Sequence, residues 1–166
     1  MKPVYALIAA IGLCVCAPAP AQTAAAPAKL NVLVITGGHG FEREPFFAMF
    51  GAISNLSFTA AEHAKGSASA WDRDDLATFD AVVLYDMAAT LTDAQKAKFL
   101  SLFERGTGLV VLHHALCSYQ GWADYERIIG GLYPVPPKGQ PQVTGAVGYE
   151  HGVEVPVVIA DPKHPI

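Results

Sequence analysis

The chain has 166 residues, a formal charge of −4 and no basic cluster, which argues against nucleic acid and anionic membrane surfaces as partners. Of its three cysteines, Cys14 and Cys16 fall in the N-terminal apolar stretch, so Cys117 stands alone in the rest. A lone cysteine excludes a disulfide framework and leaves a free thiol to explain.

The first 22 residues, MKPVYALIAAIGLCVCAPAPAQ, begin basic at Lys2 and run apolar over 4–17. They end with Ala19, Pro20 and Ala21 in A-x-A spacing. This pattern predicts a secretory signal peptide over 1–21, and hence a periplasmic or secreted protein. The apolar run is short for a spanning helix and lacks a stop-transfer flank, so no stable membrane insertion is expected after cleavage. Leu13 and Val15 precede the two cysteines, which argues against lipidation. Residues 22–29, rich in Ala and Pro, read as a disordered linker. Residues 30–166 suffice for one domain with a real core.

LNVLVITGG (30–38) is a continuous apolar run ending in glycines, the pattern of a buried parallel strand opening into a loop. EPFFAMFGAIS then predicts a helix with Pro45 at its first position and Phe46, Met49, Phe50 and Ile53 on one face. SFTAAEH (57–63) alternates like an edge strand. FDAVVLYDM (79–87) is a firmer strand ending at Asp86. TDAQKAKFLSLFERG opens with a capping box, Thr92 and Gln95, and stops at Gly106. GLVVLHH (108–114) predicts the next buried strand and WADYERIIGG (122–131) a short helix closed by glycines. Residues 132–148, rich in Pro, Gly and Gln without a period, read as a long loop and a candidate lid. HGVEVPVVIADP (151–162) reads as an edge or bulged strand because it carries Pro156.

Strands alternating with helices predict an α/β fold with an open, doubly wound, mostly parallel sheet. In such sheets ligands bind beyond the carboxyl ends of the strands, where the strand order reverses. The common order 2-1-3-4 would bring GGHGF (37–41), YDM (85–87) and HHALC (113–117) to one mouth. The chain stops at DPKHPI, where a further element is expected, which suggests that C-terminal elements are missing.

Three chemistries compete for this mouth. A nucleophile elbow needs Ser or Cys on the strand-to-helix turn between glycines, and here His113, His114 and Ala115 occupy those positions. A divalent metal needs three converging ligands from His39, Asp86, His113, His114 and His151. Adjacent histidines on a strand point to opposite faces, so His113 and His114 can share an ion only if the strand has already turned. A sugar pocket needs donors, acceptors and aromatic faces, which His39, Asp86, His113, His114, Ser118, Tyr119, Gln120, Trp122, Tyr149 and His151 supply. TGGHGF lacks the full dinucleotide-binding spacing, and turn geometry accounts for its glycines.

LNVLVITGGHGFE, FDAVVLYDM, LTDAQKAKFLSLFERGTGLVVLHHALCSYQGWADYERIIGG and YEHGVEVPVVIADPKHPI resemble successive blocks of the ThuA-like family, named for trehalose utilisation. LHHALCSYQGW is the most specific of them. The resemblance implies a flavodoxin-like sheet similar to class I glutamine amidotransferases, generally without their Cys-His-Glu triad. It also implies a role in carbohydrate metabolism, on disaccharides or keto-sugar derivatives, with His39, His113, His114 and His151 in the family's histidine-bearing motifs. On this reading His114 or His39 moves a proton and Asp86 orients it. Two alternatives are a non-catalytic carbohydrate-binding module leaning on Trp122 and a cysteine-dependent hydrolase using Cys117.

Overall fold

A computed structural model describes residues 28–88, 90–136 and 152–164. The expected signal peptide, the linker up to residue 27, Tyr149 and His151 lie outside the described residues.

The elements are β1 (Leu30–Gly37), α1 (Arg43–Gly51), β2 (Leu56–Glu62), β3 (Ala81–Asp86), α2 (Asp93–Glu104), β4 (Gly108–Val111) and α3 (Ala123–Ile129). Single 3-10 turns occupy Ser69–Asp72, Leu76–Thr78 and His113–Cys117. The strands form one parallel sheet in the order β2-β1-β3-β4, as the sequence pattern predicts. β2 lies at an edge, in keeping with its alternation. In register, Thr36 faces Glu62 and Gly37 faces Asp86, so β1, β2 and β3 end level with one another. That shared end is the mouth of the sheet.

Alternate side chains leave each strand on opposite faces. Leu33, Ile35, Val82 and Leu84 meet Trp71, Phe99 and Leu102 in the larger core, with Tyr119 and Tyr125 beside them. Val32, Val34 and Val83 meet Phe50 of α1 in the smaller one. Helices therefore cover both faces, which is the doubly wound arrangement. The Thr92 hydroxyl accepts from the Gln95 N–H and the Gln95 side chain accepts from the Thr92 N–H, closing the predicted capping box of α2. Gly106 ends that helix with φ of 75°, a left-handed conformation that favours glycine.

Three expectations change. α1 begins at Arg43, so Pro45 is its third residue, still within the turn whose N–H groups lack intrahelical partners. Its packed face is Phe46, Phe47 and Phe50, whereas Met49 and Ile53 are exposed. The predicted strand over 151–162 does not form among residues 152–164, which carry no strand and leave Val153, Val155, Val157, Val158 and Ile159 exposed. Strand-forming residues make a strand only where a neighbouring edge receives them. β4 ends at Val111 instead of 114, and that early stop reshapes the site. Among the described residues no helix is long and apolar enough to cross a membrane.

Candidate functional site

The β1 loop builds one wall of the mouth. Gly37 and Gly38 take φ of 124° and 84°, and a Cβ on Gly38 would lie 2.0 Å from the Met87 carbonyl oxygen. The loop thus presses against the end of β3 more closely than any side chain permits. His39 leaves that turn between two carbonyls, with Nδ1 3.2 Å from the Gly40 oxygen and Nε2 3.3 Å from the Tyr85 oxygen. Its ring meets Tyr85 edge-on at 4.8 Å. Gly38→Ala is expected to lower stability by about 2–3 kcal/mol, through positive φ and backbone overlap. Denaturant unfolding checks this, and a loss below about 0.5 kcal/mol would contradict the close approach.

The opposite wall comes from the turn after β4. Because the strand stops at Val111, His113 and His114 lie in a 3-10 turn and are no longer bound to opposite faces. His113 holds φ of 52°, a conformation that costs a non-glycine residue about 1–3 kcal/mol. The result is convergence: the two Nδ1 atoms are 2.8 Å apart, and the His39 ring centroid lies 4.5 Å from that of His114 and 5.7 Å from that of His113. The three histidines offer ligand nitrogens all within 4.8 Å of one another. Burial, and then the nearby His113 and His39, hold the His114 imidazole below its ordinary pKa, which favours its neutral form.

Asp86 serves a different partner from the one expected. Its carboxylate is fully buried, and Oδ2 accepts from the Tyr119 hydroxyl at 2.9 Å and from His63 Nε2 at 3.1 Å. His63 Nδ1 accepts from the Ala70 N–H at 3.0 Å, so the ring's proton sits on Nε2 and points to Asp86. Trp71 Nε1 donates to the same Tyr119 hydroxyl at 2.7 Å. Asp86 therefore orients His63 and Tyr119, not His39 or His114. His63 was missed in the sequence. It follows β2 directly, so the rule that sites gather at strand carboxyl ends would have found it.

Several expected ligand contacts turn out to be framework. Ser118 is fully buried, accepts from the Ala88 N–H at 3.0 Å and donates to the Asp86 carbonyl at 3.3 Å. Tyr119 is 1% exposed and committed to Asp86 and Trp71. Trp122, the residue on which the binding-module alternative leans, is half-buried and packs on Phe99 and Tyr125 at the edge of the larger core. Gln120 borders a cavity, but its amide donates to the Cys117 and Tyr133 carbonyls and accepts from the Val135 N–H. It thereby ties residues 133–135 to the site.

Two adjoining cavities open at the mouth. One, of about 670 Å³, is bordered by His39, His63, Glu62 and Lys65; the other, of about 410 Å³, by His113, His114, Leu116 and Tyr133. Met87, Cys117 and Val135 border both. The histidine cluster straddles them, and each is within the size range of small-molecule sites. Of the long loop predicted over 132–148, the described residues Tyr133 and Val135 do border the cavities.

Cys117 ends the 3-10 turn, four residues past His113, and burial pushes its thiol pKa up. A thiol raised this way is a poorer nucleophile at neutral pH. Iodoacetamide should modify Cys117 more slowly at pH 7.5 than it modifies a free cysteine, with the rate climbing only above the ordinary thiol range, and peptide mass spectrometry reads this directly. Thiolate-like reactivity at pH 7 would favour the hydrolase alternative.

The sequence matches the ThuA family, described as trehalose utilisation, over residues 31–166. No curated protein matches the chain. Among solved structures, a ThuA-like protein from Parabacteroides merdae ATCC 43184 is similar at 19% identity with a TM-score of 0.46. The match covers 60% of this chain and 38% of that one.

Proposed function

Because the chain belongs to the ThuA family of trehalose utilisation, we propose that it is an exported protein acting on a disaccharide or keto-sugar derivative at the mouth of its sheet. The observation that carries this reading is the convergence of His39, His113 and His114 from two separate strand ends beside the two cavities. Imidazoles in such a place can accept or donate the proton of a sugar hydroxyl or of a carbon beside a carbonyl. His114 and His39 are the residues assigned that task. Lys65 and Glu62 at the rim offer further polar groups to a hydroxylated ligand. Export rests on the basic, apolar and small-residue succession of residues 1–21.

The test is the imidazole signals of the full chain in solution. On addition of trehalose, another disaccharide or a keto derivative, the resonances of His39, His113 and His114 should move while that of buried His63 stays. If no sugar in the series moves them, the reading fails.

A further inference from the structure

We propose that His39, His113 and His114 form a binding site for a divalent transition-metal ion of the zinc type. The inference concerns the same mouth as the proposed sugar site and stands on the cluster's geometry; with an ion in place the three rings serve as its ligands, and the proton role given above to His114 and His39 would pass to a water on the ion.

The first ground is the number and kind of donors. Three imidazoles reach one point from two directions, His39 from the loop after β1 and the histidine pair from the turn after β4. In a tetrahedral site with bonds of about 2.0–2.1 Å, ligand nitrogens stand roughly 3.3 Å apart. The 2.8 Å pair has only to open slightly, and the remaining nitrogens, all within 4.8 Å, to close. Rotation of half-exposed and exposed rings supplies such movements, and His113 is the exposed one.

The second ground is the surroundings. A metal-bound histidine ordinarily donates its other ring N–H to a carbonyl or carboxylate, which fixes the ring and its tautomer. His39 has a carbonyl at each nitrogen, Gly40 on one side and Tyr85 on the other; a neutral ring donates to only one of them, so the other nitrogen turns from its carbonyl to face an ion while the first stays anchored. The Tyr85 ring, stacked on Phe46 at 4.3 Å, walls the cluster on the apolar side. Three protein ligands and an open side facing the cavities leave a fourth position for water or substrate, the arrangement of a catalytic rather than a structural ion.

The third ground is selectivity. Among the described residues no carboxylate or thiolate belongs to the cluster, and Asp86 is held away by His63 and Tyr119. An all-imidazole set favours zinc, nickel, cobalt or copper over magnesium and calcium. The strained φ of His113 fits the same role, since it turns the ring toward its neighbours at a position where glycine would rest more easily.

Isothermal titration of the untagged full chain with Zn²⁺, and separately with Mg²⁺, tests the proposal. The expected result is a site binding one Zn²⁺ per chain, with no comparable binding of Mg²⁺. His39→Ala and His114→Ala should each weaken it at least about tenfold. His113→Gly should do the same while remaining folded, because glycine relieves the positive φ. Cobalt should bind without the intense thiolate charge-transfer band, and Cys117→Ala should leave the affinity unchanged. Absence of a stoichiometric zinc site, or affinity unchanged in all three histidine variants, overturns the proposal. Because no sugar enters this titration, its failure is separate from failure of the sugar reading.

Discussion

Asp86→Ala should destabilise the protein by about 4 kcal/mol, the largest stability loss expected of any single site described above. Asp86 is fully buried at the end of β3, and its Oδ2 is the acceptor for both the Tyr119 hydroxyl and His63 Nε2. Truncation would strand two buried donors, each worth about 1–3 kcal/mol when left without a partner. The His63 ring cannot turn to recover a partner without giving up the Ala70 N–H on its other nitrogen. Tyr119 would keep its bond from Trp71 but lose the acceptor that helps hold its own φ of 51°. Asp86→Asn keeps the shape and one acceptor oxygen, so it should lose roughly half as much. Denaturant unfolding of the three proteins gives the comparison. An alanine variant within about 1 kcal/mol of the parent would mean that Asp86 does not anchor the network.

The opposite signature is expected at His114. His114→Ala should reduce turnover of the sugar substrate by about 10² to 10⁴-fold, the range for losing a group that transfers a proton. Its effect on stability should stay within about 1 kcal/mol, because the ring is half-buried at a cavity wall. His63→Ala offers the contrast, as a buried ring with both nitrogens engaged: it should act mainly through stability. Circular dichroism and unfolding alongside the kinetics separate the two. A His114→Ala protein that keeps its activity would remove His114 from the chemistry.

The sheet is legible in the sequence because its signals are local and repeated. Continuous apolar runs mark β1 and β3, the capping box marks α2, and a glycine in left-handed conformation closes α2 and α3 alike. Strand order follows from the usual topology of such runs. His39, His113 and His114 stand at those strand ends in the sequence and do converge. Features that depend on contacts across the chain are not legible in the same way. Asp86 looks like a partner for the visible histidines, yet burial gives it to His63 and Tyr119, 23 and 33 residues away. Ser118 and Tyr119 have the chemistry of ligand contacts, but the turn after β4 directs both inward. The sharing of a point by adjacent histidines hinges on one backbone event, the end of β4 at Val111, which periodicity does not mark. The 151–162 segment has strand composition, and composition carries no information on whether an edge is there to receive it.

Incubating the full chain and its His114→Ala variant with trehalose, other disaccharides and their keto derivatives, and reading products by mass spectrometry, probes the proposed chemistry at its source. A new product from at least one of these sugars is expected with the parent protein, and its loss in the variant while the fold persists. Product formed equally well by both proteins, or no product from any sugar in the series, would contradict histidine-driven sugar chemistry at this mouth.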